Sequence, residues 1–232
     1  MACRARLMAM MHDWQIEPRE YRRHEQRRGR RHAFERLTPT TTALVVIDMV
    51  PFYLERNDYA KAIVPNVQAI ATALRSAGGT VAWVLPAIVE PSGLTEEFFG
   101  PRIAALYARS GGDGPLPARV WHEFEISPED LLVEKTASSC FFPERCPLPT
   151  RLREREIDTV LVTGTVANVC CESSARDAST LGYRVIMVAD ANAAVRDSDL
   201  NATLHTIYRS FGDVRPTADV LLLINNSATK QT

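Results

Sequence analysis

Short apolar runs rich in β-branched residues alternate along the chain with stretches whose apolar positions recur every three or four residues. Residues 43–47 (ALVVI), 81–85 (VAWVL), 131–133, 159–162, 185–188 and 220–224 (VLLLI) are continuous enough to predict six strands, most of them buried on both faces. Between the first two, Ile63, Val67, Ile70, Ala71 and Leu74 mark an amphipathic helix that stops at Gly78 and Gly79. A second helix is predicted over 168–181. Cys171, Ser174, Ala175, Ala178 and Leu181 form its stripe, Asn168 suits its N-cap, and Gly182 can adopt the left-handed conformation that ends it. A third helical pattern covers about 200–211. The connection between the second and third strands is long, with a flexible GGDGP loop at 111–115. Strands and helices in alternation predict the α/β class: one three-layer α/β/α domain around a mainly parallel sheet.

Composition places this pattern in a single globular domain, since 232 residues with 46% hydrophobic and 24% charged content can bury a full core. The net charge of -1 conceals an asymmetry: residues 1–36 carry ten arginines against five acids. They read as a basic arm with a disordered start, followed by the main domain at 37–226 and a tail at 227–232. The arm's interspersed Glu20, Glu25, Glu35, Tyr21 and Phe34 favour packing on the body or on a neighbouring subunit over contact with nucleic acid. No apolar run is long enough to span a membrane, and the N-terminus has no signal-peptide pattern, so a cytoplasmic protein is expected. Five cysteines, at 3, 140, 146, 170 and 171, fit neither a disulfide framework nor a zinc spacing.

In parallel sheets, ligands collect beyond the carboxyl ends of the strands, at the point where strand order reverses. Three reactive side chains fall there. Cys170 opens the second helix, where unpaired N–H groups and the helix dipole favour a thiolate and can bind an oxyanion. Asp48 follows the first strand and could take and return the thiol proton. Lys135, one of only three lysines in a chain with twenty-four arginines, ends the third strand and offers a compact ammonium to pair with a carboxylate or thiolate. Cys171 rivals Cys170, but it shares the stripe of Ser174 and Ala178 and should face the sheet. Phe52, Tyr53, Trp83 and Phe141 are the candidate walls of a substrate cavity.

IDM at 47–49 with Phe52, EKTASSCFF at 134–142, VTGTVANVCCESSARDASTLGYRVIMVADANAA at 162–194 and FGDV at 211–214 together resemble the isochorismatase-like cysteine hydrolases over residues 37–224. The resemblance implies a triad of Asp48, Lys135 and Cys170 and a strand order of 3-2-1-4-5-6. It also implies a cis peptide at Thr165–Val166 that turns the backbone N–H groups of Val166 and Cys170 toward the substrate oxygen. Relatives usually carry alanine at 166, threonine at 167 and valine at 171, so Val166 departs in bulk at the oxyanion position.

Nicotinamidase-like members bind a metal through an aspartate and histidines after the second strand. Here PAIVEPSGLTEEFFGP has no histidine, so no metal and no cofactor are expected. Members that cleave isochorismate, a vinyl ether, lack the cysteine. Its presence therefore favours attack on a small amide, an N-carbamoyl or ureido compound, a biuret-like diamide or a streptothricin-type lactam through an acyl-thioester. Ether hydrolysis and a noncatalytic binding module are the alternatives. Relatives are commonly dimers or tetramers, which implies a homo-oligomer.

Overall fold

The computed structural model describes residues 11–228. Six parallel strands form one sheet in the order β3-β2-β1-β4-β5-β6: β1 Thr42–Ile47, β2 Thr80–Pro86, β3 Leu131–Lys135, β4 Thr159–Thr165, β5 Arg184–Ala193 and β6 Asp213–Arg215. Central β1 reads TALVVI and is buried throughout. Ala43, Val45 and Ile47 face one core, and Leu44 and Val46 face the other, as strand alternation requires. On one face, α8 (Leu148–Glu154), α9 (Glu172–Thr180) and α10 (Asp197–Ser210) contribute Leu148, Leu152, Ala175, Ala178, Leu204 and Ile207. On the other, the short helices α2 (Pro51–Leu54) and α3 (Asp58–Ala62) bury Leu54 and Ala60, α4 (Val64–Ser76) buries Val67, Ile70, Ala71 and Leu74, and α11 (Thr217–Ala228) buries Val220 and Ile224.

Strand order reverses between β1 and β4, and there the backbones approach so closely that only glycine fits. Gly164 has φ 118°, and a Cβ on it would stand 2.1 Å from the Ile47 carbonyl oxygen. The sixth strand corrects the sequence expectation. Residues 220–224 lie in α11, and the edge strand is the three-residue β6 just before it. Short apolar runs do not by themselves separate a strand from a buried helix turn. Here Asp190 accepts from the Thr217 amide at 2.6 Å and from its hydroxyl at 2.7 Å, anchoring a helix start. Val220 and Ile224 then turn inward while Leu222 is left 59% exposed, a four-residue period rather than a strand's two.

The long second connection is also more ordered than the GGDGP signal suggests. It holds α5 (Gly93–Phe99), α6 (Pro101–Ala108) and α7 (Leu116–Arg119). Ser92 and Thr95 close a capping box at the start of α5, and Pro101 occupies the first turn of α6.

The arm packs on its own body. Its helix α1 (Pro18–Arg28) ends at Gly29, and beyond it the amides of Ala33 and Phe34 bond buried Asp213 at 3.0 and 3.1 Å. Upstream, His12 bonds Asp197 at 2.6 Å and stacks on Tyr59. The disorder expected at the extreme start lies outside the described residues, as do the last four residues of the tail.

Candidate active site

Asp48, Lys135 and Cys170 are delivered to one point by three different strands. Asp48 follows β1 in a left-handed conformation, φ 54°, with its amide bonded to the Val84 carbonyl at 2.9 Å. Aspartate tolerates that region better than bulkier residues, and the turn leaves its carboxylate wholly buried. Lys135 closes β3, and Cys170 sits in a five-residue π-helical turn, Ala167–Cys171, between β4 and α9. Single π turns of this kind concentrate at functional positions because they re-aim one side chain. Asn168 therefore caps nothing; Val166 occupies the position before the turn. The Thr165–Val166 peptide is cis.

Lys135 Nζ stands 2.9 Å from Asp48 Oδ2, 3.4 Å from Cys170 Sγ and 3.2 Å from the Ala137 carbonyl oxygen. The contact with Asp48 is an ion pair by distance, without the alignment of a good hydrogen bond. Cys171 is fully buried, its sulfur 4.0 Å from the Thr163 carbonyl, so of the adjacent pair only Cys170 borders the cavity. Cys140 is likewise buried, with Sγ 3.3 Å from Ser174 Oγ.

The expectation of a helix-stabilised thiolate does not describe the resting site. Burial, and then the neighbouring Asp48 charge, push the Cys170 thiol up to about 12, against a smaller opposing effect of Lys135. Burial also raises the Asp48 carboxyl, although Lys135 and Cys170 oppose it. Burial disfavours the Lys135 ammonium, but the Asp48 and Cys170 charges outweigh it and raise the amine. Burial thus favours the proton on the Cys170 sulfur and raises the proton affinity of the Asp48 carboxyl.

The cavity above Cys170 has a volume of about 600 Å³. Tyr53, Lys135, Val166, Val169 and Cys170 line it, together with Val89, Phe99 and Tyr107 and with Thr136, Ser138 and Arg145. Of the four aromatic side chains anticipated as walls, Tyr53 takes that place. Phe52 does not line the cavity; its ring packs 5.0 Å from Tyr53 and 6.0 Å from Tyr107. Trp83 is core: it lies in mid-strand, 1% exposed, with Nε1 donating to Asp130 Oδ2 at 2.7 Å. Phe141 is buried against Tyr183 and borders a different hollow. The missed wall, Phe99 and Tyr107, comes from α5 and α6, and its available signal was the SGLT capping pattern before FF. Among the described residues, no group of three or more His, Cys, Asp or Glu is arranged to hold a metal ion.

The isochorismatase domain model matches residues 42–219. The chain belongs to the isochorismatase family and is a hydrolase of that family. It is 33% identical over 189 residues to the isochorismatase family protein YwoC of Bacillus subtilis, covering 78% of this chain and 92% of that one. It is 30% identical over 221 residues to the ureidoacrylate amidohydrolase RutB of Agrobacterium fabrum, with 83% and 93% covered. Among solved structures, a cysteine hydrolase from Pseudomonas syringae pv. phaseolicola superposes with a TM-score of 0.73 at 29% identity, covering 84% of this chain and 97% of the other. No helix among the described residues is long and apolar enough to cross a membrane.

Proposed function

We propose that this chain is a metal-independent cysteine amidohydrolase that cleaves a C–N bond of a small amide, N-carbamoyl or ureido compound, or lactam. The observation that carries the reading is the contact of the Cys170 sulfur, the Asp48 carboxylate and the Lys135 ammonium, with Cys170 and Lys135 lining one cavity and Asp48 buried behind them. Asp48 takes the thiol proton, and the sulfur attacks the carbonyl carbon. Lys135 stabilises both negative charges while the proton moves. The backbone N–H groups of Val166 and Cys170 hold the oxyanion. Collapse breaks the C–N bond, and the departing nitrogen receives the proton from Asp48 as ammonia or an amine. Water then attacks the thioester, its proton passing through Asp48 back to sulfur, and the acid is released.

Amide cleavage is favoured over isochorismate-type ether hydrolysis because a vinyl ether offers a thiol no carbonyl to acylate it. A relative of similar length carries an amidohydrolase name, which supports the same side. A noncatalytic binding module would have no use for a thiol, base and ammonium in mutual contact. The enzyme takes a small-molecule substrate without nucleic acid, membrane or cofactor, in the cytoplasm and as a homo-oligomer. An ammonia-release screen over amides, ureas and lactams tests the reading, with Cys170→Ala as the blank. Release by the wild type alone is expected. Equal release by both, or stoichiometric iodoacetamide labelling of Cys170 with turnover intact, would reject it.

A further inference from the structure

Three charged side chains line the substrate cavity: Glu90, Lys135 and Arg145. Lys135 is committed to Asp48 and Cys170. Glu90 and Arg145 are exposed, and neither has an ion-pair partner among the described residues, not even the other. Arg119, which reaches the end of β2 by donating to the Pro86 carbonyl at 2.7 Å, is held by Glu134 at 2.8 Å. The backbone fixes where both unpaired charges stand. Strands β2 and β3 are paired with Pro86 beside Lys135, and the Ala87 amide donates to the Lys135 carbonyl at 2.8 Å. Glu90 follows the first of these strands, behind Val89, whose amide donates to the Ala108 carbonyl at 3.1 Å. Arg145 is strapped to the second: Thr136 donates its amide to the Arg145 carbonyl at 2.9 Å and accepts from Arg145 Nη2 at 3.2 Å, which holds the guanidinium over the residue after Lys135.

Burial gives the cavity a direction. Cys170 is 8% exposed and Lys135 5%, whereas Glu90 and Arg145 are exposed, so the thiol lies deep and the two unpaired charges lie at the mouth. The wall also holds Val89, Phe99, Tyr107 and Val169, apolar surface that suits methylene groups. Few polar groups line a ligand cavity, and those few set the orientation of what enters. We infer that the substrate is a zwitterion: an α-amino acid whose side chain ends in a carboxamide. Its amide meets Cys170, its methylenes run along the apolar wall, its ammonium pairs with Glu90 and its carboxylate with Arg145. A guanidinium is the group that takes a carboxylate through two donors at once, and Nε and Nη1 of Arg145 have no partner among the described residues. Hydrolysis adds one water across the C–N bond, so the products are ammonia and the α-amino dicarboxylic acid. The turnover rests on the amidohydrolase reading, whereas recognition of the charged head group does not.

Four amides of one chain length test this by ammonia release: glutamine, glutaramic acid, which lacks the ammonium, 4-aminobutanamide, which lacks the carboxylate, and butanamide, which lacks both. Glutamine is expected to have the highest kcat/KM, at least tenfold above either singly charged amide, and butanamide the lowest. Glu90→Gln should cost at least tenfold on glutamine and 4-aminobutanamide and far less on glutaramic acid, and Arg145→Gln should show the opposite preference. Both side chains are exposed, so circular dichroism should show the fold kept. Calorimetry on the Cys170→Ala protein separates binding from chemistry. Glutamine should bind it with a Kd of about 1 mM or tighter, and adding Glu90→Gln or Arg145→Gln should weaken binding at least tenfold. Butanamide turned over as well as glutamine, charge variants whose losses are the same on every charged amide, or glutamine that does not bind the Cys170→Ala protein overturns the inference. Failure of the amidohydrolase reading shows differently: glutamine binds with that dependence on Glu90 and Arg145, yet the wild type releases no ammonia from any amide.

Discussion

Among the described residues, two aspartates are completely buried, and they behave in opposite ways. Asp213, in β6, is penalised by burial too. His32 and the amides of Ala33 and Phe34 outweigh that penalty, so its carboxyl lies below the usual carboxylate range. Arg28 and Arg215 stand 3.8 and 3.5 Å away. Asp48, after β1, meets only Lys135 and Cys170, and its carboxyl is raised by burial. The difference is the supply of donors. A carboxylate given two backbone N–H groups and several cations is a fixed anion that staples the arm to the sheet. One given a single ammonium and a thiol can still accept a proton. Equal burial thus yields a structural anchor in one region and, on the reading proposed above, a base in the other.

The sharpest way to break this contrast is at the site itself. Cys170→Ala should reduce turnover by at least ~10³-fold with the fold kept, as circular dichroism and an ammonia assay would show. Asp48→Asn should cost about 10²–10⁴-fold in kcat by removing the proton acceptor. Asp213→Asn is the counterpart. It should lower stability by roughly 3–5 kcal/mol in a denaturant titration, because cations around it lose their anion, yet leave the alkylation rate of Cys170 unchanged. If Asp213→Asn silenced the thiol as Asp48→Asn should, the two regions would not be separate.

Proton linkage gives a smaller effect with a definite sign. A thiol pushed up to about 12 in the fold keeps its proton while the unfolded thiol, near its ordinary value of 9.0, loses it. Between those values the folded state binds more protons, so the thiol's contribution makes stability fall as pH rises, whereas below about 9 it adds no pH dependence. The iodoacetamide rate at Cys170 should accordingly keep climbing beyond pH 9. A plateau there would mean an unperturbed thiol. Smallest is Trp83→Phe, which should cost about 1–3 kcal/mol through the lost bond to Asp130 and leave KM unchanged, as suits a core ring. A raised KM would return Trp83 to the substrate cavity.

The residues that sequence reading brought together and those it misjudged differ in one respect. Asp48, Lys135 and Cys170 each follow a strand whose apolar run is unambiguous, and in a parallel sheet the strand end fixes the edge on which the residue emerges. Trp83 and Phe141 were mistaken for cavity walls because aromatic composition does not say which way a ring points. Residues 220–224 read as a strand because five apolar residues satisfy either period until a cap such as Asp190 selects one. Tyr107 and Phe99 went unnoticed because their helices bury almost nothing in their own chain and so leave only a weak periodic trace.

The order of apolar runs, the three reactive residues at their ends and the glycine at the switch point were determined by the sequence alone, because these depend on local period and on sterics that one residue type satisfies. The protonation of the thiol, the opposed fates of the two buried aspartates and the identity of the cavity wall were decided only by the tertiary structure. Each depends on how many donors, charges and rings from distant segments converge on a point, and local sequence carries no record of that number.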